Sequence, residues 1–440
     1  MEVLIKIIQL LLSLSILVIF HEMGHYIAAR VFKTRVEKFY LFFDPWFHLF
    51  RFRHKETEYG IGWLPLGGYV KISGMIDESM DREQMKQPPQ PWEFRSKPAW
   101  QRLIIMLGGV IVNVLLAMLI YVGILFAWGE QYLPTSEVNK YGISCDTLAL
   151  ELGLQNGDRI LSVDQEPVVD FQKIIPHIIL EEAKTIQVIR DGEPVEVIIR
   201  ESAVSKLLKQ ENPVIWPRIP FEVAGFGKDS PAEKAGLKLE DRIIGLNQAS
   251  LPFFTEFRNA LQRFKNQEVI VDLVRSGDTL HIPVTVPESG LIGVQNKSLD
   301  AFFKFQEKEY SFLSAIPAGI TKAFTGIGNY LKSLKLLFST EKAYESVGGF
   351  ITMGKIFPST WDWQSFWGLT AFLSIMLAIL NVLPIPGLDG GHVLFLMFEI
   401  VTGRKPSDKF LEYAQIAGMI LLFALLIFAN GNDILKLIRK

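Results

Sequence analysis

His21-Glu22-Met23-Gly24-His25 closes an apolar run, Ile7-Ile8-Gln9-Leu10-Leu11-Leu12-Ser13-Leu14-Ser15-Ile16-Leu17-Val18-Ile19-Phe20, that is long enough to span a bilayer. Residues four apart on a helix share a face, so His21 and His25 can grip one Zn²⁺ while Glu22, one step round, addresses a water beside it as a general base. A charge at mid-depth in such a helix costs about 2.5–3.5 kcal/mol, so a Glu between two His there is a functional feature by default.

Composition agrees with a chain that is part membrane and part soluble. It has 440 residues, 49% of them hydrophobic, and a formal net charge of −2, which argues against nucleic acid as a partner. The first segment lacks a basic n-region and an A-x-A site, so it is expected to remain in the mature protein rather than serve as a signal peptide. Cys145 is the sole cysteine, which leaves zinc to histidine and carboxylate ligands.

Four stretches reach spanning length: about Val3 to Ala29, Leu103 to Phe126, Phe366 to Leu383, and Ile416 to Phe428 with its flanks. Arg30, Lys33, Arg35, Lys38, Arg95, Lys97 and Arg102 flank the first connection, which the positive-inside rule puts in the cytoplasm. The long middle region is then outside and Arg404, Lys405 and Lys409 inside; the basic tail ending in Lys440 runs against the rule. Within the first connection, Tyr59 to Ile72 carries Gly60, Gly62, Pro65, Gly67 and Gly68 among apolar residues and predicts a β-hairpin dipping into the bilayer. Its edge, around these four glycines, could pair with an extended substrate. Asp77 to Glu93 reads as a mobile loop, and Gly108, Gly109 and Asn113 in the second span read as helix packing.

From Leu133 to Val294 the pattern becomes that of soluble domains, with an internal repeat: Ala149 to Val163 aligns with Ala232 to Leu246 on A-x-x-x-G-L-x-x-x-D-x-I, Glu240 standing where the first copy has Gly157. The pattern looks like two bacterial PDZ domains in tandem, whose grooves bind extended segments. Leu313 to Leu334 carries apolar residues three or four apart among lysines, which suits a helix on the outer membrane surface or one facing a core.

The third span ends in Asn381-Val382-Leu383-Pro384-Ile385-Pro386-Gly387-Leu388-Asp389-Gly390-Gly391-His392, where prolines and glycines must break the helix. A catalytic zinc takes three protein ligands, and Asp389 is the natural third, with His392 as its rival. Asn381, one turn before the break, suits either an interhelical hydrogen bond or the backbone of an unwound substrate.

Taken together, these motifs resemble the site-2 proteases and, more narrowly, the RseP-type regulators of sigma-E of bacteria. The resemblance implies a zinc intramembrane endopeptidase of the bacterial inner membrane, with one Zn²⁺ per chain, that cuts single-pass substrates of the anti-sigma factor kind. It carries the ligand roles onto His21, His25 and Asp389, the base onto Glu22 and substrate contact onto Asn381. Val110 departs from the family's frequent G-P-x-x-N pattern before Asn113. The expected fold is four transmembrane helices with a membrane-associated hairpin and two extracytoplasmic PDZ domains. Its divisions are 1–127, 128–215 and 216–297 (the two PDZ-like units), 298–360 (an interfacial helix) and 361–440. A zinc transporter would need polar residues along a pore, and a PDZ membrane scaffold would not need Glu22.

Overall fold

The computed structural model describes residues 1–65, 67–75, 87–200, 204, 206–207, 210, 212–339 and 348–438. It separates into two compact units, 1–129 with 309–440, and 130–308. Residues 77–86 of the loop expected to be mobile lie outside the described residues.

The first unit is helical around one small sheet. Its helices are α1 (Glu2–Val31), α2 (Ala99–Trp128), α3 (Phe312–Ser339), α4 (Phe350–Lys355), α5 (Trp363–Val382), α6 (Asp389–Thr402) and α7 (Asp408–Ile438). Of these, α1, α2, α5 and α7 are long and apolar enough to cross a membrane. Helices satisfy their own backbone, so such sequences can face lipid along their length. A few buried polar groups stitch them together. Thr370 donates to Ser13 Oγ at 3.0 Å, Ser374 donates to the Asn113 carbonyl at 2.8 Å, and Gln9 donates to the Pro358 carbonyl at 2.9 Å. At the end of α7, buried Asp433 accepts from the N–H groups of Gly349 and Thr352 and thereby caps the start of α4.

α3 has a packed face, as the core-facing reading expects, and an exposed one. One face packs on α2 and α5, with Gly319 against Val122 and Gly326 against Ile375. The other leaves Phe312, Leu313, Phe324 and Leu331 exposed.

The expected hairpin is replaced by a four-stranded sheet. Its strands are β1 (Val36–Leu41), β2 (Phe43–His54), β3 (Thr57–Leu64) and β4 (Tyr69–Ile72), in the order β2-β3-β1-β4. β3 and β4 do not pair with each other, because β1 lies between them, parallel to β3 and antiparallel to β4. β1 takes the central place by burying Val36 and Tyr40 completely. Gly60 and Gly62 therefore sit on an interior strand rather than an edge. A Cβ at Gly60 would run into the Tyr40 ring and one at Gly62 into the Phe43 carbonyl. At the far edge, β2 is bulged, with positive φ at Trp46, and such distortion blocks further pairing. β4 is the other edge, its ladder with β1 shifting register once between Val36 and Lys38.

The second unit contains β5 (Glu130–Tyr132), β6 (Ile143–Cys145), β7 (Arg159–Val163), β8 (Thr185–Arg190), β9 (Glu193–Ile198), β10 (Ile215–Pro217), β11 (Phe221–Phe226), β12 (Arg242–Leu246), β13 (Ala249–Ser250), β14 (Glu268–Arg275), β15 (Asp278–Thr285), β16 (Val294–Asn296) and β17 (Gln306–Lys308). Two cores match the two sequence repeats, one from Leu133 to Ile215 and one from Phe221 to Ile292. The boundaries differ from the sequence reading: β10 carries Trp216 and Pro217 back onto β6, and Phe303 returns from beyond the second repeat to the first core. β17 then pairs with β5, so the first and last strands of the unit lie side by side. The single thiol, Cys145, is buried, and burial pushes it up to about 12, which leaves it inert at neutral pH.

The repeat is visible in its polar core as well. Asp158 pairs with Arg190 through two hydrogen bonds of 2.8 Å, and the same guanidinium reaches the Gly153 carbonyl. Asp241 does the same with Arg275, at 2.6 and 2.7 Å, and that guanidinium reaches the Gly236 carbonyl. Both carboxylates are buried. Glu240 keeps the left-handed conformation of its counterpart, with φ of +69° against +94° at Gly157. Burial raises the Asp241 carboxyl, but Arg275 and the Lys238 N–H outweigh it and hold the group below its ordinary value. A folded value below the unfolded one means that this pair stabilises fully above about pH 4 and loses its effect as pH falls through the folded value. Asp241→Asn should therefore cost the second repeat about 3 kcal/mol at pH 7, and less at pH 3, by pulse proteolysis of the full chain across a urea series.

Candidate metal centre

The centre is assembled from two helices. α1 presents His21 and His25 one turn apart, and α6 presents Asp389 at its first position, directly after the Pro-rich turn that ends α5. That turn is compact. A Cβ at Gly390 would overlap the Leu383 and Val382 carbonyls, and Gly387, at φ +96°, lies against the α7 backbone at Gly418. Only with those glycines can the chain reverse tightly enough to bring Asp389 back beside α1.

Asp389 Oδ2 lies 3.2 Å from His21 Nε2 and 3.2 Å from His25 Nε2, and the two histidine atoms are 3.3 Å apart. A tetrahedral zinc site with bonds of about 2.0–2.1 Å spaces its ligands roughly 3.3–3.4 Å apart, so the triangle has the right edge. Its chemistry also fits. His25 Nδ1 is 2.9 Å from the Ile105 carbonyl, which can only accept; Nδ1 therefore carries the proton and Nε2 offers a bare lone pair. Asp389 Oδ2 is buried with no hydrogen-bond donor. Acceptors crowded this closely in a buried site call for a cation between them. Among the described residues these three form the one such group. His392 is not part of it and instead lines a small cavity with Arg95, Arg102 and Gln415.

Around this triangle the other expected residues fall unequally. Glu22 sits beside the histidines on α1, with β4 packed against that helix. A Cβ at Gly68 would meet Val18 and the Tyr40 carbonyl and touch Glu22, so its bare backbone lets β4 start against α1; Gly67, at φ +154°, precedes it. Asn381 places its amide nitrogen 3.3 Å from His21 Nε2. Gly60 and Gly62 lie on β3, one strand removed from β4. Asn113, read from sequence as a packing residue, is fully buried with its amide 3.2 Å from His21 Nδ1. Gly108 and Gly109 lie directly against Gly24 and the two histidines.

One helix bearing H-E-x-x-H, completed by an Asp just past a broken helix and set among helices long and apolar enough to span a membrane, defines a membrane metallohydrolase. Comparison with known proteins makes this specific. Residues 9–425 match the profile of Peptidase family M50, and the chain belongs to that family. It is similar to a Neisseria meningitidis protein named as a candidate zinc metalloprotease, with 29% identity over 97% of this chain and 98% of that one. It is also similar to the Regulator of sigma E protease of Haemophilus influenzae, with 26% identity over 97% and 98%. This bears out the resemblance to the site-2 proteases: the chain is an integral membrane metalloprotease, and its family implies zinc.

Asp389→Ala should release most of the bound zinc from purified protein by elemental analysis, whereas His392→Ala should leave it in place. The reverse pattern would exchange the two as third ligand.

Proposed function

We propose that this protein is a zinc-dependent intramembrane endopeptidase that hydrolyses peptide bonds within transmembrane segments of single-pass proteins. The observation that carries this reading is the convergence of His21, His25 and Asp389 from apolar helices beside the β4 edge of a small sheet. His21, His25 and Asp389 would hold one ion. Zinc, when bound, polarises the scissile carbonyl and a water, whose pKa it lowers to about 7. Glu22 takes that water's proton on its carboxylate as the water oxygen adds to the carbonyl carbon, and passes it to the amine nitrogen as the C–N bond breaks.

A peptide bond inside a substrate helix has its backbone groups already paired, so the helix must unwind locally, and each group unpaired in lipid costs several kcal/mol. The β4 edge supplies replacement backbone partners by strand addition, and the Asn381 amide supplies a side-chain donor or acceptor next to the reacting carbonyl. Gly67 and Gly68 serve this arrangement by letting β4 lie on α1; Gly60 and Gly62 serve the packing of the sheet behind it.

The name of the Haemophilus influenzae relative supports anti-sigma factor type substrates, and hence regulated proteolysis in an envelope stress response. The two repeats of the second unit are read as PDZ domains on the periplasmic side of the inner membrane, with the metal centre toward the cytoplasm, in keeping with the lysine and arginine distribution.

The test is cleavage of a single-pass model substrate by the purified protein in bilayers. Chelation should stop it and added zinc restore it. Glu22→Gln should lower turnover by about 10²–10⁴-fold with zinc content unchanged. Loss of the metal together with activity would instead make Glu22 a structural part of the centre.

A further inference from the structure

His21 is flanked by two amides. The Asn113 nitrogen lies 3.2 Å from Nδ1 and the Asn381 nitrogen 3.3 Å from Nε2. A neutral imidazole has one lone pair and one N–H, so both amides cannot donate to it. Asn113 is also the one left incomplete, because its Oδ1 is buried without a partner. Turning its amide over, which changes no shape, gives Oδ1 the proton of Nδ1 to accept and leaves the Nε2 lone pair for Asp389's side of the site; the amide nitrogen then takes the place that Oδ1 held.

We infer that Asn113 is a positioning residue that selects the Nδ1–H form of His21 and so aims its Nε2 lone pair at the metal. The inference rests on the ligand set given above. It gives α2 the same duty toward both histidines, since the Ile105 carbonyl already accepts from His25 Nδ1 two turns earlier on that helix. Asn113 is itself held, through its carbonyl, by the Ser374 hydroxyl of α5. The backbone carbonyl at Ile105 is beyond mutation, but the side chain at Asn113 is not.

The experiment is competition for Zn²⁺ between a chromogenic chelator and the full-length protein in detergent, with apo-protein melting temperatures measured alongside. Asn113→Leu, close in volume, should weaken zinc binding about 10–100-fold, the usual effect of losing a partner behind a ligand. Asn113→Asp can only accept, and should retain zinc within a few-fold of the parent. Ser374→Ala should leave the affinity near that of the parent. Unchanged affinity in Asn113→Leu would overturn the inference. Equal losses in the Asp and Leu variants would also overturn it, because Asn113 would then be needed as a donor. If Asn113→Leu fails to fold, the Asp variant decides alone: near-parental affinity supports the acceptor role and loss refutes it. His21→Ala separates the two levels: if it keeps parental affinity the ligand set itself is wrong, whereas if it loses zinc while Asn113→Leu does not, only the positioning role falls.

Discussion

The metal centre depends on two helices touching backbone to backbone. At Gly24 on α1 and Gly108 on α2 there is no room for a β-carbon on either side, and a Cβ at Gly109 would land on the imidazoles of His21 and His25. This contact brings the Ile105 carbonyl and the Asn113 side chain within hydrogen-bonding range of the histidines. Apolar helices in lipid gain little from hydrophobic association with each other, so close approach through small residues and a few buried hydrogen bonds must do the holding. Gly24 is one of the two variable positions of the H-E-x-x-H motif. In this chain it is as constrained as the residues around it.

The same economy governs the other half of the centre. Asp389 is brought in by a turn in which Gly387 lies against α7 while Gly390 and Gly391 pack on the turn's own backbone, and whose ends belong to two different helices, α5 and α6. Arg102 at the start of α2 pairs with Glu399 of α6 at 2.5 Å, fixing α6 from its other end. A carboxylate is thereby held against two imidazoles through supports that are themselves largely uncharged.

How much of this can be read from the sequence follows from the range of each interaction. The spanning helices are legible because apolarity is continuous, and their observed limits lie within a few residues of the hydropathy limits, apart from the longer α7. The ligand candidates His21, His25 and Asp389 are legible because ionisable groups in apolar helices need a reason. Asn113 is not, because a lone Asn among Leu and Val reads as helix glue, and its partner lies 92 positions away. The small sheet is legible only in part. Tyr59 to Ile72 shows two strands, but nothing local says that Val36–Leu41 will come between them. Parallel pairing of β1 with β3 is a long-range event that burial of Tyr40 and Val36 decides.

The ladder between β5 and β17 has a consequence for how such a chain can be built. Glu130 faces Lys308 and Tyr132 faces Gln306, so everything from one to the other is closed at its base like a purse by a drawstring. Joining two points already this close costs little loop-closure entropy, and the cost grows only slowly with the length enclosed. Once that ladder has formed, the chain leaves the second unit close to where it entered, so the connection between α2 and α3 is short in space although it is long in sequence.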